Sequence, residues 1–179
     1  QGMLMATDRP RLHRTLDTLA LVLAPALTIV MIAASIASYE RQLAAGRPRV
    51  LLGNALLADA SVVLQFAVLA GWGLLARRTA PATHRRMLQM ATVPLLAAAV
   101  GQMPWLPFTA SPSSEFDYVA ALYPLLLLVP AFLYDVRQRG RLHRAYLVGV
   151  VIVLVSTAAT RELWSSPAWH QLVRTALEK

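Results

Sequence analysis

Blocks of about 20 apolar residues, separated by short charged stretches, run through most of this chain, which is the pattern of transmembrane segments. The blocks lack the polar face that helices of soluble domains present to water. The pattern therefore predicts an all-α membrane protein, a bundle of five transmembrane helices. The predicted spans are Leu16–Ser38, Val50–Leu75, Met87–Leu106, Phe116–Tyr134 and Ala145–Thr160.

The fifth block is the shortest of the five. Its residues extend only about 24 Å at roughly 1.5 Å per residue, whereas the hydrocarbon core of a bilayer is about 30 Å thick. We therefore expect this helix to continue to Trp164, with the Arg161 side chain extending towards the membrane surface.

A helix of different character is predicted after the fifth span. Ser166 and Pro167 are typical of a helix start, with a capping serine and a first-turn proline. The apolar positions that follow share one helix face, and they are Trp169, Leu172, Val173, Ala176 and Leu177. Residues 165–179 are thus predicted to form an amphipathic helix on the outer side of the membrane, lying along its surface. The membrane domain is expected over residues 8–164, and residues 1–7 are interpreted as a tag remnant and a disordered N-terminus.

The net charge of +8 comes from arginines that flank the apolar blocks, so it indicates membrane orientation and anionic lipid rather than a nucleic-acid partner. Five spans place the arginine-rich N-terminal segment, second loop and fourth loop on one face. The positive-inside rule then places the N-terminus on the cytoplasmic side of the membrane and the C-terminus on the opposite, outer side. The arginines expected to contact lipid headgroups are Arg14, Arg85, Arg86, Arg141 and Arg144. Other membrane subunits or a second copy of the chain are further possible partners.

The composition excludes several classes of chemistry. The chain has no cysteine, which excludes disulfides, thiolate metal sites and cysteine nucleophiles. No nucleophile-elbow, phosphate-loop or glycine-rich dinucleotide pattern occurs in the sequence, so a non-enzymatic protein is favoured.

A histidine-arginine pair recurs just before each odd-numbered span. The three histidines are His13, His84 and His143. All three fall on the predicted cytoplasmic face, where three imidazoles bind a divalent metal in some proteins and two ligate haem iron in others. The alternative is that they are interfacial residues that meet lipid phosphates beside their arginines. The sequence lacks a His-x-x-x-His spacing, so the cofactor stays unassigned, with haem or a divalent metal as candidates.

Polar residues inside the spans suggest further candidate sites, among them a second candidate region in the outer half of the bundle around Asp59. Asn54, Ser61, Gln65 and Trp72 share one face of the second span, where they either form interhelical hydrogen bonds or line a ligand site.

Asp59, on another face of the second span, is the one carboxylate well inside a predicted span, and Arg161 is its candidate partner. Asp59 is interpreted as half of a structural ion pair, as a proton or cation site, or as a carboxylate with solvent access at the outer mouth of the bundle. Gln102 and Trp105 are expected to line the same outer pocket.

Three segments resemble those of a bacterial family of polytopic inner-membrane proteins. The segment from His84 to Thr92 resembles the family's HKRLMLLAT segment, and Tyr134-Asp135 with the following Gly140 to His143 is similar to its YD…GRLHPA segment. His13-Arg14 resembles a helix start in the same family. The resemblance implies a bacterial inner-membrane location, so that the outer side, with the C-terminus and the helix at residues 165–179, is the periplasmic side. It also implies importance for His84, Asp135 and His143, without a named activity. The sequence itself predicts that Asp135 pairs with Arg137, Arg139 or a residue of the second loop.

Three functions remain open from the sequence. The first is a non-enzymatic module that binds a small ligand or lipid, or an accessory subunit of a membrane complex. The second is a haem or metal protein that uses the cytoplasmic-face histidines. The third is a proton-linked transporter that uses Asp59, which the lack of an inverted repeat disfavours.

Overall fold

The computed structural model describes residues 10–100, 103, 105–106 and 118–177, with side chains from residue 18 onward except at 98, 118–121 and 177. Over these residues the chain forms helices and no strand, which confirms the all-α prediction. The helices are α1 (Pro10–Ala44), α2 (Arg49–Leu75), α3 (Pro81–Val100), α4 (Tyr118–Leu126), α5 (Val129–Arg139), α6 (Arg144–Trp164) and α7 (Pro167–Leu177). The expected tag remnant at residues 1–7 lies outside the described residues.

Three segments are long and apolar enough to cross a membrane, namely Thr18–Ala44, Arg49–Leu75 and Arg144–Trp164. They correspond to the first, second and fifth predicted spans, and the last of them does continue to Trp164. Helix α3 is about 30 Å long at roughly 1.5 Å per residue, but its first two turns carry His84, Arg85 and Arg86, which lower its apolar character. The total of five spans therefore stays a prediction.

The predicted fourth span differs from the structure. One helix was expected from Phe116 to Tyr134, whereas the chain leaves α4 at Leu126 and begins α5 at Val129. The intervening turn is tightened by three-residue hydrogen bonds, from Leu127 N–H to Pro124 O at 3.2 Å and from Leu128 N–H to Leu125 O at 3.1 Å. Pro130 has no N–H to continue an α-helical ladder through this turn, and it occupies a first-turn position of α5, where that donor is not needed.

Helix α3 contributes the largest share of the core and contacts α2 and α6. The buried core residues are Phe66, Leu69 and Ala70 of α2, Met87, Met90, Ala91 and Val93 of α3, and Ala145, Tyr146 and Val153 of α6. Gly149 lets α6 approach α3 closely, since a Cβ there would lie 2.6 Å from Met90 Cγ. Helix α1 packs beside α2 and exposes large apolar side chains such as Val22 and Ile29, as a lipid-facing helix does.

The C-terminal helix is docked against the start of α2. Val173 is 3% exposed, and a Cβ at Gly53 would lie 2.5 Å from Val173 Cγ2, so the glycine provides the space that this side chain fills. Leu172, also on the predicted apolar face, is exposed. The amphipathic helix predicted for residues 165–179 is thus found at Pro167–Leu177, with part of its apolar face buried against the bundle.

Candidate functional site

A buried ion pair lies at the end of the bundle where α2 ends and α3 begins, which we call the Arg86 end. Arg86 of α3 donates through Nε to Asp135 Oδ2 of α5 at 3.3 Å, and its terminal nitrogen Nη2 donates to Oδ1. The side chains of Arg86 and Asp135 are 12% and 3% exposed. Because two parallel N–H···O contacts join planar groups, the geometry is the strong, bidentate form of this interaction.

Asp135 also joins α5 to the start of α6. Its Oδ2 accepts a 2.9 Å hydrogen bond from the backbone N–H of His143, the N-cap residue of α6. Arg139, one turn further along α5, places its Nε 3.6 Å from Oδ1. One carboxylate therefore connects α3, α5 and the N-cap residue of α6. This confirms two of the predicted alternatives, Arg139 and a residue of the predicted second loop, which is Arg86.

The charges at this end shift the pKa values of two groups. Burial alone raises the pKa of Asp135, but hydrogen bonds from Arg86 and the His143 backbone, with the charges of Arg86 and Arg139, bring that pKa below its usual value. Burial lowers the pKa of His143, the charges of Arg86 and Arg139 lower it further, and Asp135 opposes them only in part. The fold therefore favours an ionised Asp135 and a neutral His143.

Tyr146 of α6 completes the inner wall of this region. Its hydroxyl donates to Gln89 Oε1 of α3, and its ring centroid lies 5.7 Å from the guanidinium carbon of Arg86, within reach of a cation–π interaction. Phe132 of α5 meets the same ring edge-on, with the ring centroids 4.7 Å apart. These contacts hold Arg86 and Gln89 in fixed positions.

An open cleft of about 780 Å³ lies over these groups, between α3, α5 and the start of α6. Its lining residues are Arg85, Arg86, Leu88, Gln89, Thr92, Ala131, Tyr134, Asp135, Gln138, Arg139 and Tyr146. Three guanidinium groups face one carboxylate, so the cleft has an excess of positive charge. Its volume falls in the range of about 300–1,000 Å³ that is usual for small-ligand sites.

The histidines of the predicted metal site have structural contacts at this end. His84 is 3% exposed and its Nδ1 lies 2.7 Å from Gly73 O, so the proton is on Nδ1, because a carbonyl oxygen only accepts. His143 Nδ1 accepts from the Ala145 N–H at 3.1 Å and caps α6. The side chain of His13 lies outside the described residues. Among the residues that are described, no group of three His, Cys, Asp or Glu side chains is placed to hold a metal ion.

The arginines predicted to contact lipid headgroups separate into two groups. Arg86 is largely buried against Asp135, instead of extending into the headgroup layer as expected, because the ion pair holds it inside the bundle. Arg85 is half-buried and lines the cleft, whereas Arg141 and Arg144 are exposed. Arg14 is outside the set of described side chains.

The polar face predicted on α2 also separates into different environments. Asn54 is buried, donates to Trp164 O at 3.3 Å and accepts from Trp169 Nε1 at 2.9 Å, so it joins α2, α6 and α7. Gln65 is buried and donates to Ser61 Oγ at 3.1 Å within the same helix. Trp72 is 43% exposed. Interhelical hydrogen bonding therefore accounts for Asn54.

The predicted outer pocket is not assembled as expected from the described residues. Asp59 lies in a groove between α1 and α2, and no ion pair joins it to Arg161, which is exposed on α6. The other residues that line this groove belong to α1 and α2, and Arg161 is not among them. Trp105 is 73% exposed, and Gln102 falls outside the part of the chain that the structure describes.

Among the cleft residues that sequence reasoning missed are Gln89 and Tyr146. A signal for Gln89 exists, since Arg85, Gln89 and Thr92 recur at the four- and three-residue spacing of one helix face. Tyr146 carries no such signal, because its position beside Arg86 depends on how α6 packs against α3. The chain matches no protein-family model, and no curated protein or solved structure shows significant similarity to it.

Proposed function

We propose that this chain is a non-enzymatic, multi-pass membrane protein that binds a small anionic group in the cleft at the Arg86 end. The ligand class is a phosphate or carboxylate, either free or as the headgroup of a lipid. The observation that carries the proposal is the excess of guanidinium groups in an open cleft of about 780 Å³. Arginine is suited to such ligands because its planar fork makes paired hydrogen bonds to both groups.

Two of the three arginines are available for the ligand. Arg86 is neutralised by Asp135, whereas Arg85 is half-buried and the Arg139 side chain is 48% exposed. Arg139 contacts Asp135 at 3.6 Å through Nε, and it is one of the residues that line the cleft. Gln89, Thr92 and Gln138 add neutral polar groups around them.

The apolar part of the lining favours a lipid over a free anion. Leu88, Ala131 and Tyr134 form part of the cleft wall beside the arginines. A lipid fits both parts of the wall, because its anionic headgroup would contact the arginines and its acyl chains would contact the apolar residues. In this proposal the Arg86 end faces the cytoplasm of a bacterial inner membrane, as the positive-inside rule and the resemblance to a bacterial inner-membrane family predict.

The test compares arginines that line the cleft with arginines that do not. The purified protein is reconstituted in nanodiscs of phosphatidylcholine with or without phosphatidylglycerol, and bound lipid is measured by native mass spectrometry. We expect retained phosphatidylglycerol in the wild type and about tenfold weaker retention after Arg85→Gln with Arg139→Gln. The matched control is Arg78→Gln with Arg137→Gln, which removes the same charge from exposed residues outside the cleft.

A separate titration with inorganic phosphate distinguishes the two sources of the anion. Phosphate binding that depends on Arg85 and Arg139, without lipid retention, identifies a free anion as the ligand. Equal lipid retention and equal phosphate binding in both double variants would contradict the proposal.

A further inference from the structure

Asp59 lies inside the membrane-spanning part of α2. This helix runs from Arg49 to Leu75, so its midpoint is Val62, and Asp59 is about 5 Å from that midpoint at roughly 1.5 Å per residue. The hydrocarbon core of a bilayer extends about 15 Å to each side of its centre. The carboxylate is therefore at the depth of the acyl chains.

The side chain lines a groove of about 350 Å³ between α1 and α2. The other lining residues are Ile32, Ser35 and Ile36 of α1 and Leu56, Ala60, Val63, Leu64 and Ala67 of α2. The walls are apolar apart from Ser35, whose hydroxyl donates to Met31 O at 3.0 Å in its own helix. Asp59 forms no hydrogen bond or ion pair with any residue that the structure describes.

A carboxylate at this depth is costly in lipid, and carboxylates in spans normally face a partner charge or a ligand. The groove offers one negative group surrounded by apolar side chains. The complementary ligand has one positive charge and an apolar body, since it matches the charge without requiring further polar groups. We propose that this groove is a binding site for lipophilic cations, with Asp59 as the counter-charge.

This site is independent of the cleft proposed above. The cleft lies between α3, α5 and α6 and takes an anionic group, whereas the groove lies between α1 and α2 and takes a cation. No residue lines both. A failure of one proposal therefore leaves the other unaffected.

The test uses tetraphenylphosphonium, an apolar monocation without hydrogen-bond donors. Binding to the purified full chain in a neutral detergent is measured by equilibrium dialysis, with protein-free micelles as the background. We expect saturable binding of about one cation per chain, weakened at least about tenfold by Asp59→Asn. Glu162→Gln removes the same charge from an exposed position on α6 and should leave binding unchanged.

A second variant separates charge from folding. Ala60→Phe retains Asp59 and fills the groove from an exposed position in its lining, so it should also weaken binding. Size-exclusion profiles and melting temperatures establish that each variant is folded, and Ala60→Phe carries the test if Asp59→Asn does not fold. Wild-type protein that fails to bind the cation overturns the proposal, as does binding at the wild-type level in both groove variants. Cross-linking that places a second copy of the chain on the groove also overturns it.

Discussion

Arg86 and Asp135 form a buried, bidentate ion pair between α3 and α5, although the two residues lie 49 positions apart in the chain. The same carboxylate accepts a hydrogen bond from the backbone of His143, so the pair also positions the start of α6. Removal of the guanidinium leaves a nearly fully buried carboxylate without its main partner.

We expect Arg86→Ala to lower the free energy of unfolding by about 3 kcal/mol or more, because it leaves a buried charge uncompensated. Arg137→Ala, on an exposed position of α5, should change it by about 0.5 kcal/mol or less. Denaturant titration in micelles, followed by tryptophan fluorescence, measures both values. Equal stabilities of the two variants would show that the ion pair contributes nothing to the fold.

The lowered pKa of His143 predicts a pH-dependent stability. The unfolded chain binds the proton more readily than the folded chain, so the free energy of unfolding falls as the pH drops below the ordinary value of 6.5. Asp135 also stabilises the fold in a pH-dependent way, because its pKa is lowered from 3.8. Its contribution to the free energy of unfolding is lost only at pH values below those at which His143 titrates. His143→Asn keeps a side-chain acceptor for the cap without a titrating group.

Melting temperatures between pH 7.5 and pH 5.5 test this prediction. The wild-type protein should lose stability over this interval, and the His143→Asn variant should lose less. If the melting temperature falls equally with pH in both proteins, a group other than His143 controls the pH dependence of stability.

Alanine substitutions at two glycines of α2, Gly53 and Gly71, test how α7 docks against this helix. Gly53→Ala adds a Cβ within 2.5 Å of Val173 Cγ2, which forces α7 to move, whereas Gly71→Ala meets no atom within 4 Å. We expect Gly53→Ala to destabilise by about 1–3 kcal/mol through overpacking. Gly71→Ala should stabilise by up to about 1 kcal/mol through helix propensity.

Limited digestion with trypsin reports the docking directly. Arg174 lies in α7 next to the buried Val173, so cleavage there should accelerate in Gly53→Ala and remain at the wild-type rate in Gly71→Ala. Unchanged cleavage in both variants would indicate that α7 does not depend on the Gly53 contact.

The absence of cysteine makes the topology testable with single introduced thiols. Five spans predict that Arg47→Cys and Trp105→Cys are labelled from one side of the membrane, and Arg78→Cys and Arg141→Cys from the other. All four parent positions are accessible in the structure, with Arg47, Arg78, Trp105 and Arg141 exposed. The side on which each thiol lies is measured by labelling sealed vesicles with a membrane-impermeant maleimide. Labelling of Trp105→Cys from the same side as Arg78→Cys would contradict five spans.

The sequence by itself determined the helices whose apolar runs exceed the membrane thickness, because hydropathy and length are local properties. It also placed the start of α7 correctly at Ser166 and Pro167, since caps and first-turn prolines act within one turn. It did not predict the break between Leu126 and Val129. Proline inside an apolar run is compatible with either a kink or two helices, and the surrounding packing decides between them.

The tertiary structure decided which polar groups meet. Asp135 had several candidate partners along the chain. The tertiary structure brings it to Arg86 of α3, whereas Arg139 is one turn further along its own helix. Asp59 was expected beside Arg161, but the rotation of α2 directs it to α1. Spacing along a helix assigns residues to a face, whereas the neighbour that covers this face depends on helix packing. The cleft at the Arg86 end and the groove at Asp59 therefore emerge only from the assembled bundle.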